Sequence, residues 1–157
     1  MLANLQIFVG ASLRTVEKLD YSWVFRFGES LLIMTESPWR LVTPEKIVVA
    51  ADDHGQKFGL PQPVDASECV LSRLATLAVR SVSVDDLTGD LLLYFSDRVY
   101  LQFLQLSAGY EAWRAHTGNG ETICTGGGGL VFAPADKKRQ SDRYRYEVGL
   151  HLDSTAT

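Results

Sequence analysis

Two stretches of the chain carry one pattern at a distance of 66 residues: Leu13-Arg-Thr-Val-Glu-Lys-Leu-Asp20 falls on Val79-Arg-Ser-Val-Ser-Val-Asp-Asp86. With two residues inserted, Trp23-Val-Phe-Arg-Phe27 falls on Leu91-Leu-Leu-Tyr-Phe95, and Leu31 to Ile33 falls on Val99 to Leu101. A further insertion sets Trp39-Arg40 on Trp113-Arg114. Such a match constrains the fold more than any local motif, because it makes the chain two uses of one supersecondary unit. Each unit, over residues of about 5–42 and 71–116, reads as a strand ending near an acidic residue, a hairpin, and a tryptophan-arginine pair.

Period-two alternation makes these segments strands. Trp23, Phe25 and Phe27 share one face, and Leu91, Leu93 and Phe95 share the matching one, while Val24, Arg26, Leu92 and Tyr94 give the opposite faces a mixed character. Gly28-Glu-Ser30 and Ser96-Asp-Arg98 are short and polar, as hairpin turns require. Ahead of the second unit, Asp65 stands three residues before Glu68 and predicts a capped helix running to about Leu77, with Cys69, Val70, Leu74 and Leu77 near one stripe. Leu2 to Val9 reads as an equivalent helix or as the start of a strand. The expected fold is α+β: a single domain over 1–134, mainly antiparallel sheet built from two related β-hairpin units, with one or two helices packed on one face. Residues 135–157 read as a polar linker and a basic, aromatic tail or edge strand.

At 157 residues the chain is long enough to bury about two thirds of the surface that its unfolded form exposes. Its net charge of −4 speaks against general affinity for nucleic acid or anionic membranes, which favours a basic excess. Lys137, Lys138, Arg139, Arg143 and Arg145 beside Tyr144 and Tyr146 are the one local exception, and a charge run of this kind reads first as a solvated tail. Cys69 and Cys124 are too few for a disulfide framework and are expected as buried thiols. The first residues lack the basic start of a secretory signal, and Asp97 and Arg98 interrupt the longest apolar region, so the expected location is the cytoplasm, with no membrane span.

The most conspicuous candidate site is Thr125-Gly-Gly-Gly-Gly-Leu-Val-Phe132. A phosphate cradle needs glycines that open a helix and a lysine that meets the phosphates, whereas these glycines lead into a β-like run with no lysine. The expected role is a bulge, or a close approach of backbone to a packed side chain such as Trp113. His54, His116 and His151 are scattered, and His54 reads as a solvated loop residue. Asp85, Asp86 and Asp90 beside Gly89 bring carboxylates together, and read as caps of a turn rather than as cation ligands. No catalytic motif, cofactor fingerprint or metal-ligand spacing is read, so the expectation is a protein that is not an enzyme and takes no cofactor.

Thr88-Gly-Asp-Leu-Leu-Leu-Tyr-Phe95, Tyr110-Glu-Ala-Trp113 and Gly126-Gly-Gly-Gly-Leu-Val-Phe132 together resemble a family of small, uncharacterised bacterial proteins found among the immunity proteins of polymorphic and contact-dependent toxin systems. The resemblance covers residues 1 to 134 and carries no catalytic residues with it. It implies a non-catalytic module that binds and neutralises a cognate toxin domain. An acidic surface suits a toxin with a basic face; Asp52, Asp53, Asp85, Asp86 and Asp97 are the candidate contacts, and Tyr110 and Tyr146 the candidate anchors. Two other readings remain open on the sequence: a small-molecule-binding or enzymatic domain with a pocket between the repeat units, and a self-associating structural domain forming a homo-oligomer.

Overall fold

Strands form where the alternation is strongest. The computed structural model describes residues 2–135, and eleven strands run through them. They are β1 (Thr15–Lys18), β2 (Trp23–Arg26), β3 (Leu32–Thr35), β4 (Trp39–Val42), β5 (Ile47–Ala50), β6 (Ser81–Val84), β7 (Leu91–Tyr94), β8 (Tyr100–Phe103), β9 (Trp113–Thr117), β10 (Gly120–Cys124) and β11 (Leu130–Pro134). Every pairing is antiparallel, and the strands divide into two sheets ordered β1-β2-β3-β9-β10-β11 and β5-β4-β8-β7-β6.

The chain changes sheet twice. After β3 it crosses to the second sheet, where Trp39 pairs with Phe103; after β8 it crosses back, where Trp113 pairs with Thr35. The inward faces then meet in one core. Phe25 stands edge to face with Trp39 and with Phe103, both at 5.0 Å between centroids, and Trp23 does the same with Trp39. That geometry sets the positive edge of one ring on the negative face of the next.

Two helices complete the fold. α1 (Leu2–Leu5) continues into a 3-10 turn at Gln6–Phe8, which settles the ambiguous first segment as helical and buries Leu5 and Phe8. α2 (Ala66–Leu74) begins as its capping residues foretell: the Asp65 carboxylate accepts the Glu68 amide at 3.1 Å. Its buried stripe is Ala66, Val70 and Leu74; Leu77 lies past the helix end and is exposed, and Cys69 is half-buried. The expectation of helices on one face of a sheet is corrected. α2 contacts β1 and β5, one edge strand of each sheet, and α1 contacts β6. Because the two sheets bury their apolar faces against each other, the open edges are what is left for helices to cover. Among the described residues no helix is long and apolar enough to cross a membrane.

Phe25 joins β2 to both crossing points, so Phe25→Ala is expected to cost about 3–5 kcal/mol. The check is a lowered urea midpoint with an unchanged denaturant slope.

Candidate functional site

Antiparallel register gathers six connectors at one end of the molecule. In the first sheet Lys18, Trp23, Thr35, Trp113, Cys124 and Leu130 stand at that end, and in the second Val84, Leu91, Phe103, Trp39 and Ala50 do. The connectors 19–22, 36–38, 51–53, 85–90, 104–112 and 125–129 therefore share this crossing end. The opposite end carries the turns 27–31, 43–46, 95–99 and 118–119.

The four glycines answer their question here. They form a tight turn at Gly126–Gly128 that enters β11, with no helix to open and no lysine beside it. The close approach is of backbone to backbone. Gly128 has φ +88°, and a Cβ there would lie 2.5 Å from the Thr88 carbonyl oxygen; a Cβ on Gly89, at φ +77°, would lie 2.7 Å from the Gly128 Cα. Only glycine satisfies both the positive φ and the missing space. Trp113 reaches this crossing from below: its Nε1 donates to the Gly89 carbonyl at 2.9 Å. The glycine loop thus packs on the 85–90 turn, which Trp113 fixes through its indole N–H.

Gln105, which the sequence reading passed over, ties the connectors together. Its buried side-chain amide donates to the carbonyls of Tyr110 (3.0 Å) and Thr125 (2.7 Å) and accepts from the Ser107 amide (2.8 Å), and its own backbone N–H donates to Asp90 at 2.9 Å. Both side-chain N–H donors and the carbonyl oxygen have partners, as a buried amide requires. Nothing in Leu104-Gln-Leu-Ser marks this role, because a polar residue in an alternating run reads as solvent-facing. Cys124 lies buried beside the same carbonyl, its Sγ 3.5 Å from the Gly89 oxygen, and burial pushes its thiol pKa up.

The candidate partner contacts fall into three places. Asp85 caps its own turn, accepting the Thr88 and Leu87 amides at 2.8 and 2.9 Å, and those bonds, with the Thr88 hydroxyl, hold its carboxyl below the usual range. Asp53 accepts the Ala50 amide at 2.8 Å. Asp52, Asp86 and Tyr110 stand at the crossing end, with Asp52 and Asp86 on opposite edges of a sheet about 19 Å across. Asp97 is at the other end, paired with Arg80 at 3.7 Å. Tyr146 lies outside the described residues. His54 is exposed yet bonded: its Nδ1 accepts the Ala66 amide at the start of α2, and its ring meets Trp23 edge to face. Tyr110 and Glu111 belong to the 104–112 connector.

Two shallow grooves mark the surface. One, of about 370 Å³, is lined by Arg80, Ser81, Tyr94, Ser96 and Asp97. The other, of about 200 Å³, lies at the crossing end between Lys18, Tyr21, Trp23, Glu36, Pro38 and Asp52. Among the described residues no group of three or more His, Cys, Asp or Glu is placed to hold a metal ion. Compared with protein-family models, with curated proteins and with solved structures, the chain finds no match.

Gly128→Ala combines a strained φ with a clash and is expected to cost about 3 kcal/mol or more, whereas Gly127→Ala, at φ +80° with its new Cβ in ordinary contact with the Ala108 carbonyl oxygen at 3.8 Å, should cost about 1–2 kcal/mol. Thermal melts should rank wild type, Gly127→Ala and Gly128→Ala in falling order. A second outcome concerns acid. The Asp85 carboxyl is depressed in the fold, so its stabilisation is present above the unfolded value and is lost as pH falls through the folded one. Below about pH 4, Asp85→Asn should therefore close part of its gap in melting temperature to wild type.

Proposed function

We propose that the chain is a non-catalytic protein-binding module that works in the cytoplasm and neutralises a cognate bacterial toxin by covering it with the crossing end. The observation that carries this reading is the set of large apolar side chains left in water there: Tyr21 is 86% exposed, Leu87 88%, Leu106 70% and Tyr110 82%. Leu87, Leu106 and Tyr110 sit on connectors fastened by the Trp113 indole on the Gly89 carbonyl and by the Gln105 side chain, so little order has to be gained there on binding. Exposed aromatic and aliphatic anchors on a rigid base are what protein hot spots are made of.

Charge supports the same partner class. Asp20, Glu36, Asp52, Asp86 and Glu111 belong to the same connectors, and a basic partner face would meet them with complementary potential. The segments that resemble toxin-immunity proteins also converge here, since Gly89, Trp113 and Gly128 meet at one junction. The scaffold beneath is read as two related β-hairpin units that have exchanged their last strands. Supporting this, Phe27 donates to the Leu31 carbonyl as Phe95 does to Val99, Arg14 donates to Arg26 as Arg80 does to Tyr94, and Ser12 bridges Ala78 at the offset of 66.

The test is capture of a partner by the tagged chain from its host lysate. One protein at near equal stoichiometry is expected, and Leu87→Ala, Leu106→Ala and Tyr110→Ala combined should weaken it at least tenfold, since each hot-spot truncation costs about 1–2 kcal/mol. Arg80→Ala at the other end should leave capture intact. Recovery of the chain alone, with a size in solution that grows with concentration, would replace this reading by self-association.

A further inference from the structure

Helices lie against three of the four sheet edges: α2 against β1 and β5, and α1 against β6, where the Gln6 side chain also reaches the Val82 carbonyl at 3.4 Å. The fourth edge is β11, which pairs with β10 and with no other strand among the described residues. The bonds that bracket it set the direction of its backbone groups. Thr125 donates to the Gly129 carbonyl and Ala135 to the Asn119 carbonyl, so the odd-numbered residues of the strand bond to β10. The N–H and C=O groups of Leu130 and Phe132 therefore point away from β10, with the Pro134 carbonyl beside them. An edge with no charge along Leu130-Val-Phe-Ala-Pro134, and with Val131 50% exposed, is a template for one more strand.

The two faces of β11 state what that strand must carry. Leu130 and Phe132 stand across from the buried Cys124 and Thr122 and are themselves half-buried, while Val131 and Ala133 face outward. A strand laid on this edge continues both faces only if apolar residues alternate along it. Residues 143–152 follow β11 in the same chain and alternate in this way: Tyr144, Tyr146, Val148, Leu150 and Leu152 are even-numbered, and Arg143, Arg145, Glu147, Gly149 and His151 odd-numbered. The intervening residues 135–142 are long enough to turn the chain back along the open side of β11, and no other strand has to be crossed. Charge agrees with this placement. Glu121, directly across from Ala133, faces outward at the end where the chain leaves β11; Arg114 and His116 reach it from one side, and Arg143 and Arg145 enter from the other.

We infer that the open edge of β11 is an intramolecular docking site for residues 143–152, which pair with it as a further antiparallel strand. The even-numbered side chains lie beside Leu130 and Phe132 on the core side, and the odd-numbered ones lie beside Val131 and Ala133 in water. Every sheet edge is then closed by the chain's own elements, which removes the route to edge-to-edge association. The inference is independent of the protein-binding reading, since Leu87, Leu106 and Tyr110 belong to other connectors.

The experiment measures amide hydrogen exchange by NMR in the dilute full chain. Leu130 and Phe132 should exchange about tenfold or more slowly in wild type than in the double variant Tyr146→Pro with Val148→Pro, which deletes two N–H groups that face β11. Val131 and Ala133, bonded to β10, should stay slow in both and so report the native fold. Cross-strand nuclear Overhauser contacts should join Phe132 to an even-numbered residue between 144 and 152. Equal exchange of Leu130 and Phe132 in wild type and variant would overturn the inference, as would contacts from Phe132 to an odd-numbered residue of that segment. Contacts seen only between ¹³C-labelled and unlabelled copies would give the edge to a second chain, and protection gained only with a captured protein would give it to that partner; either result overturns the intramolecular strand.

Discussion

Everything in this fold depends on the chain changing sheet just before a tryptophan. Trp39 and Trp113 each open a strand that pairs outside the meander from which the chain has come, so neither half can close its core alone. Phe25 shows the consequence, since it lies in the first sheet and packs its ring on Trp39 and Phe103 of the second. The contacts that matter most are therefore remote in sequence, and their closure entropy must be met before any is rewarded. Folding of such a scaffold is expected to be cooperative across both halves.

The alternation of Trp23, Phe25 and Phe27, and of Leu91, Leu93 and Phe95, was enough to assign strands and inward faces, because side-chain direction in a strand has a period of two. It could not assign partners. Leu101 and Leu41 pair at a sequence separation of 60, and nothing in either short apolar run distinguishes that neighbour from any other. The division into two sheets, and the helices' place at their edges, were hidden for that reason. The cap at Asp65 and the glycine turn were legible because their causes are local.

The candidate site was less legible, again for a physical reason. Five aspartates look alike in sequence, but Asp53 and Asp85 are occupied by neighbouring amides, Asp97 lies at the far end with Arg80, and Asp52 and Asp86 stand on opposite edges. A carboxylate's availability is decided by turn conformation, which composition does not carry. Gln105 is the converse case, a polar residue whose value comes from burial among three connectors.

On the protein-binding reading proposed above, the two ends of the sandwich divide stability from recognition. At the far end the turns at 28–30, 96–98 and 118–119 are hairpin loops of only three, three and two residues, and the register of the flanking strands leaves them little room to vary. At the crossing end the chain must travel between sheets, and the 85–90 and 104–112 connectors are longer than the pairing alone demands. Length of that kind is tolerated because loop closure costs rise only slowly with it. Here the extra residues carry Leu87, Leu106 and Tyr110 outward while Gln105 and the Gly89 carbonyl fasten them from within. A surface that presents apolar groups yet is held from below has the properties of a binding face on a rigid scaffold. The tight turns have neither the length nor the buried supports to provide one.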